Sequence, residues 1–512
     1  MSRWSALFVI VFACVATTAA IAEDWPMWGF SPARNMASPE KGIASTFTPG
    51  KIDYKTEKVD MSTTKGVKWV AKLGSQAYGN PTVAGGKVFV GTNNETPRNS
   101  AHKGDRGIVM CFDEKTGKFE WQLVVPKLGA GKVSDWEYLG ICSSPSIDGD
   151  FVYVISNRGE VICMDINGMA NGNDGPYKDE GKFVTGGKGV VEPGPTDADI
   201  IWIFDMRDEL GVFPHNITSS SPVVVGDRVY CTTSNGVDWS HLNIPSPRAP
   251  SLIALDKKTG ELVGEEASGI SERIYHCNWS SPAFGKAGSQ DQLIFGAGDG
   301  FVYGFHPDPV EDEDGFLIFK ELWKFDCNPP HYKFKNGKAI KYATYEGPSE
   351  LIGTPILYKN RVYAATGQDP EHGEGLGNLV CIDATKTGDI TKTGQVWAYD
   401  KIDRTISTIA ILNNLVFAAD YAGFIHCLDA DTGELYWKHD TESHIWGSPI
   451  AVDDKVYIGN EDGELTVLAA TKEYKVVSLV EMDAPIYSSV IAANGILYVA
   501  TQTHLYAVEA GK

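Results

Sequence analysis

The sequence predicts an all-β fold: an eight-bladed β-propeller of four-stranded antiparallel blades, closed by pairing an N-terminal strand with the last blade. Three observations predict it. Two short signatures recur along most of the chain, each repeat holds four strand patterns punctuated by turns, and the last repeat lacks its fourth strand.

The repeat is plainest between Arg404 and Asp440. Strand A spans Ser407 to Leu412, B Leu415 to Asp420, C Phe424 to Ala430 and D Glu434 to Asp440, with turns at Asn413-Asn414, Gly423 and Thr432-Gly433. One such sheet cannot bury both apolar faces alone, so it needs neighbours. Copies start on a Ser-Pro or Thr-Pro pair, with an aromatic eight positions on: Pro145 to Tyr153, Pro222 to Tyr230, Pro355 to Tyr363 and Pro449 to Tyr457. Pro81 with Phe89, Ile409 with Phe417 and Val490 with Tyr498 keep the interval, while Pro282 to Phe295 is stretched by an insertion. The second signature is an Asp followed by Thr-Gly and often Trp, as at Asp113, Thr116, Gly117 and Trp121, and again around Asp256 and Asp429.

Repeat eight stops after its strand C, near Glu509. Val67 to Leu73, "VKWVAKL", reads as an orphan strand D, and pairing the two closes the ring and removes sheet edges. The domains expected are therefore a leader at 1–22, an arm at 23–65 and the propeller at 66–512.

The leader reads as a secretory signal: Arg3, an apolar run from Trp4 to about Val15, and an A-x-A site ending at Ala22. A lipoprotein reading through Cys14 is the lesser option because of the bulky Phe12. An exported protein, periplasmic or extracellular and with no membrane span, is expected. The net charge of −21 disfavours nucleic acid and anionic membranes as partners. In the arm, Trp25, Trp28 and Asn35 are expected to pack across the outside or bottom of the ring.

Cys111, Cys163, Cys381 and Cys427 share one strand C position and read as buried free thiols, because blades stack about 10 Å apart, beyond disulfide reach. Cys142, Cys231, Cys277 and Cys327 are left open.

Loop length places function. In a propeller the B–C loops and D–A connections emerge on one face. Long B–C loops run over Thr92–Arg106, Thr232–Pro250 and Thr366–Asn378, and long D–A connections over Pro126–Ile141, Met206–Thr218, Ala267–Asn278 and Asp326–Leu351. That face is built up over blades one to five, where binding residues are expected. On the other face, the C–D insertions Asn167–Asp199 and His306–Gly315 read as solvated acidic loops rather than Ca²⁺ sites. The loop "GQDPEHGEG" gathers Asp369, Glu371, His372 and Glu374, a donor set for a metal, with His241, His276 or His331 as a further ligand. The alternative is a tight turn with Asp369 and Glu374 bonded to backbone amides.

Through the motif around Asp113, Asp256 and Asp429, the chain resembles the pyrroloquinoline-quinone (PQQ) repeat propellers, most closely exported bacterial members, planctomycete-like in style. That family includes quinoprotein alcohol dehydrogenases and the propeller lipoprotein of the outer-membrane β-barrel assembly machinery. The resemblance implies Asn235 of "SNGVDW" as a Ca²⁺ ligand beside the quinone, with Trp239 and Trp279 either as loop anchors packed over the blades or as ring-stacking platforms. The family's base falls at Cys277 in "HCNW", the vicinal Cys-Cys pair is absent, and there is no CxxCH for haem. The expectation is thus a binding module or scaffold acting through the built-up face, for a protein or small-molecule ligand. A second reading is a PQQ- and Ca²⁺-dependent alcohol or sugar dehydrogenase with a divergent site, using His276, Asp369 or Glu371 as base. A third is hydrolase or lyase chemistry at a metal held by His372 and its carboxylates.

Overall fold

The computed structural model describes residues 23–510; the expected leader lies outside the described residues. Eight meanders form one closed ring, as the repeats require. Blade six has strands Ala410–Leu412, Leu415–Ala419, Phe424–Asp429 and Leu435–Asp440, hydrogen-bonded in that order. Its strand A is shorter than expected because residues 407 and 408 are used between blades: Ser407 Oγ donates to Gly447 O at 2.7 Å. Val67–Lys72 pairs antiparallel with His504–Glu509, Trp69 facing Ala507. That is the expected closure.

Both signatures turn out to be joints between neighbouring blades. In the outer joint, Asp429 Oδ1 accepts the Asp431 and Thr432 N–H groups and so forms a tight turn. Gly433 follows at φ +73°, where a Cβ would stand 2.6 Å from the Trp397 ring of blade five. The indole of Trp397 lies on that bare glycine and donates to Ala430 O at 3.0 Å. Trp69 on Gly117 and Trp202 on Gly260 repeat the arrangement, so the Thr-Gly of one blade and the Trp of the blade before are two halves of one contact.

The inner joint is a belt around the axis, made by the residue before each strand A proline or its equivalent. The Ser144 N–H donates to Ser221 Oγ at 2.9 Å and the Ser221 N–H to Ser281 Oγ at 2.8 Å. Thr354, Thr408 and Ser448 donate in turn to Thr408, Ser448 and Ser489 at 2.7–2.9 Å. The Ser489 N–H reaches Asn80 Oδ1, and Asn80 Nδ2 reaches Ser144 Oγ at 3.2 Å. At Thr354 the belt is met by the arm instead, because Trp28 Nε1 donates to its hydroxyl at 3.2 Å.

Only the second part of the arm runs on the outside, where Ser478 of the outer strand of blade seven bonds Ser45 O; residues 24–38 lie within the ring. That first part follows the inner strands: the Ile147 N–H bonds Pro26 O, Phe284 N–H bonds Pro32 O, Leu357 N–H bonds Ala33 O and Ala451 N–H bonds Met36 O, all at 2.7–3.0 Å. Asn35 exchanges two bonds with Ile411. The reason is backbone satisfaction. Strand A turns its free edge to the axis, and eight such edges need partners. Arg34, fully buried, donates to the carbonyls of Trp28, Ser221, Pro222 and Pro282 at 2.7–3.0 Å. Burial lowers its pKa to about 9, which leaves it a cation at neutral pH.

The two C–D insertions are largely exposed, as expected of solvated loops, but both carry ordered structure. The first folds over blade two with Glu180 and Asp199 buried; the second forms a hairpin, Val310–Glu311 with Leu317–Ile318, that extends the sheet of blade three. All eight described cysteines are free thiols, which resolves the four left open.

Replacing Thr408 by Val keeps its shape and removes one belt acceptor, stranding the buried Thr354 N–H. Urea unfolding is expected to show a loss of about 1–3 kcal/mol. Hydrogen bonds from the Thr116 hydroxyl and the Thr259 N–H hold Asp113 and Asp256 below the usual carboxylate range. Such groups stabilise the fold above their unfolded value and lose that contribution as pH falls through the folded one. The thermal midpoint is therefore expected to drop below about pH 4, and less steeply in Asp113→Asn.

Candidate functional site

Above the arm, on the face with the long loops, the axis opens into a cavity of about 640 Å³. Every D–A connection lines it, from Tyr78 and Asn80 round to Tyr487 and Ser489, with Trp28 of the arm contributing from within the ring and Asp369 and Glu371 from blade five. One wall is aromatic. Tyr78 stacks on Tyr487 with centroids 4.9 Å apart, and Trp446 packs edge-on to both. Glu461 accepts from the Trp446 indole and the Tyr487 hydroxyl at 3.2 Å, which fixes the two rings. Trp136 and Trp279 also line the cavity, and the Trp279 Nε1 is held by Ile217 O at 3.0 Å. Among the described lining residues are the carboxylates of Glu137, Asp369 and Glu371, and no Lys or Arg.

Behind Trp279 and Asp369 lies a group of histidines. His276, in the connection into blade four, puts Nε2 2.7 Å from His215 Nε2, in the connection into blade three. His241, from the long B–C loop of blade three, brings a ring nitrogen within 4.8 Å of both. His241 has φ +56°, a left-handed backbone that costs strain. Asp238 braces the turn through Ser240 and Asn243. His372 stacks on His276 at 5.4 Å, and its buried Nδ1 has no partner among the described residues.

The other nitrogens of the central pair are anchored. His215 Nδ1 bonds Val237 O at 2.6 Å, and His276 Nδ1 lies 3.0 Å from the Tyr342 hydroxyl, which in turn reaches Glu350 Oε1 at 2.9 Å. Asp369 Oδ2 accepts from Asn216 Nδ2 at 3.1 Å and stands 4.0 Å from His276 Nδ1. Burial lowers the pKa of His215 and of His372 to about 4, and that of His276 further, with the neighbouring histidines adding to the effect. These rings are neutral at physiological pH. Burial pushes Asp369 up and Glu350 well up.

The residues singled out from sequence divide accordingly. His241, His276, Asp369 and His372 converge. Glu371 points to the rim, 3.9 Å from Lys132, and Glu374 lies 3.6 Å from His444. The tight-turn expectation holds for Asp369, which accepts the Glu371 N–H at 2.8 Å. His331 packs on its neighbour Tyr332. Asn235 is fully buried, its Oδ1 accepting from the Phe213 N–H and its Nδ2 donating to Ser246 O and Ser271 Oγ. It braces a loop and does not line the cavity. Trp239 is 61% exposed and anchors nothing, whereas Trp279 is in the wall. Cys277 directs its thiol to Ser234 O at 3.1 Å, and burial raises its pKa strongly, so it is no base.

Sequence reasoning missed His215, Tyr342 and Glu350. A signal existed for the first: "HNITSSSP" and "HCNWSSP" each set a His shortly before the belt serine in successive connections.

The described residues thus form a closed eight-bladed propeller with an axial cavity among its connecting loops. The family model for PQQ_2, outer membrane protein assembly factor BamB, matches residues 97–174 and 391–510. Quinohemoprotein alcohol dehydrogenase ADH IIB of Pseudomonas putida is 22% identical over 79% of the chain and 56% of its own length. The chain thus spans about half the length of the curated dehydrogenases it matches. BamB of Shewanella oneidensis is 26% identical over 14% of the chain and 19% of its own length. Among solved structures, BamB from Moraxella catarrhalis superposes with a TM-score of 0.55 at 13% identity, covering 86% of this chain and 99% of that one. A europium-containing methanol dehydrogenase gives 0.57 at 13%, covering 94% and 89%. These two share the fold. The chain is a propeller similar in sequence to BamB and to the quinohemoprotein dehydrogenases. Among the described residues no helix is long and apolar enough to cross a membrane.

With every described thiol free, and all but the cavity-lining Cys142 buried, a thiol reagent at pH 8 is expected to modify at most Cys142 rapidly in the native protein and all eight in denaturant. A smaller count in denaturant would mean a disulfide.

Proposed function

We propose that the chain is an exported binding module that takes a neutral, polyhydroxylated ring compound, a carbohydrate, in the axial cavity of its long-loop face. The observation that carries this is the composition of the cavity: stacked aromatic rings on one side, carboxylates, amides and hydroxyls elsewhere, and no cationic side chain in the lining itself, Lys132 standing at the rim against Glu371 and Trp136. Flat rings offer apolar faces to the C–H side of a sugar, and fixed carboxylates accept from its hydroxyls. Export rests on the leader pattern of residues 1–22.

The same composition speaks against the dehydrogenase reading. PQQ is a polyanionic tricarboxylate quinone, and burying it beside Asp369 and Glu371 with only the rim Lys132, already paired with Glu371, would leave most of its charge uncompensated. The position of the family's Ca²⁺ ligand holds Asn235, whose amide is already used, and the position of the base holds Cys277. The residues present do not fit the cofactor.

Titration of neutral disaccharides into the purified chain, followed by tryptophan fluorescence, is expected to saturate. Tyr487→Ala, which unstacks Tyr78, should weaken binding about tenfold. PQQ with Ca²⁺ should give no saturable change. Saturable PQQ quenching with dye reduction, and none with sugars, would replace this reading with the dehydrogenase.

A further inference from the structure

The tautomers of the central histidine pair lead further than the cavity does. Val237 O is a carbonyl and can only accept, so His215 carries its proton on Nδ1 and presents a lone pair at Nε2. Burial favours Glu350 as the neutral acid, and a cation at the pair would favour its ionised form, to which Tyr342 donates its single proton at Oε1. The Tyr342 oxygen then accepts from His276 Nδ1–H, which leaves a lone pair on His276 Nε2 as well. Two lone pairs then face each other across 2.7 Å. Such a contact repels unless a cation lies between or beside the two nitrogens. A backbone carbonyl on one ring and a carboxylate acting through a hydroxyl on the other are the outer partners that orient metal-binding imidazoles.

The third histidine supports the same conclusion. His241 is the exposed member, it sits on a braced turn in a strained left-handed conformation, and its ring packs 4.8 Å from His276 and 5.1 Å from His215. Nothing in the aromatic cavity requires it there.

We propose that His215 Nε2, His276 Nε2 and a ring nitrogen of His241 bind one transition-metal ion of the zinc class. All-imidazole donors select zinc, copper or nickel over calcium and magnesium. Tetrahedral zinc with bonds of about 2.0–2.1 Å places ligand nitrogens roughly 3.3 Å apart. The central pair must therefore open by about half an ångström, and the His241 ring must swing inward, which its surface position permits. The fourth position remains for solvent. Bound there, the ion adds a ligand bridge to three segments already joined by backbone hydrogen bonds, Gly236 N–H to Phe213 O and Val237 N–H to His276 O among them: the connections into blades three and four and the long loop of blade three. It would stiffen the wall that carries Trp279. This site shares neither Asn235 nor the Glu371 and Glu374 carboxylates, and it stands whether or not the cavity takes a carbohydrate.

The competing arrangement needs no metal. A protonated Glu350 would donate to Tyr342, Tyr342 to His276 Nδ1, and His276 Nε2–H to His215 Nε2, a closed chain with a proton in place of the ion.

The test is titration of Co²⁺ into the full chain after dialysis against chelator, read by visible absorption and confirmed by competition with Zn²⁺. One ion per chain with the intense bands of tetrahedral Co²⁺ is expected. Tyr342→Phe, which keeps the ring and removes the outer partner, should weaken binding about 10–100-fold. His241→Ala removes an exposed side chain that the fold does not need, and should abolish the bands while leaving the apo thermal midpoint unchanged. His331→Ala is the control and should bind as the parent does. Absence of stoichiometric binding would mean that the proton-linked chain is the true state and would overturn the proposal. Binding that survives His241→Ala at unchanged affinity would be adventitious and would overturn it equally.

Discussion

The belt of hydrogen bonds around the axis is the interaction on which the rest depends. Each blade must be held to the next at its narrow inner end, and at six of the eight joints a serine, threonine or asparagine oxygen meets the backbone N–H of the blade before it. The proline that follows in most blades lacks an N–H, so no donor competes at the start of strand A. At the outer end the Trp-on-glycine joint does the same work with an indole and a turn carbonyl. Two small joints repeated around the ring set the geometry, and closure through Trp69 applies the outer one across the termini.

Eight inner strands cannot meet at a point, so the belt encloses a hole. The arm fills the hole from one side, with Arg34 spreading its charge over four carbonyls and Trp28 bonded to the belt at Thr354. What remains is a pocket open on one face and walled by the connections between blades. Since those connections are where the blades differ, the repeat can hold the scaffold constant while the pocket acquires its own chemistry. Here that chemistry is aromatic and acidic on the cavity side and imidazole-rich one layer behind.

The repeating parts were legible in the sequence because each joint leaves the same residues in every blade; Ser448-Pro449 and Asp429-Thr432-Gly433-Trp437 announce both. The one-off parts were not. The arm's path depends on backbone carbonyls, which carry no residue signature. Asn235 matched a family motif by position, but the direction of its amide is set by Ser246 and Ser271, which the motif does not contain. His372 and Asp369 could be found because glycines crowd them into one loop, whereas His215 and Tyr342 reach the cluster from separate connections whose meeting is a property of the closed ring.

The central claim is that the axial cavity is the ligand site and that its ligand is uncharged. A crystal structure of the chain grown with a neutral disaccharide tests it most directly. The account predicts density for a sugar ring in the axial cavity, lying along the wall of Tyr78, Trp446 and Tyr487. Sugar density only on the outer surface, or PQQ density in the cavity of a crystal soaked with that cofactor, would contradict it.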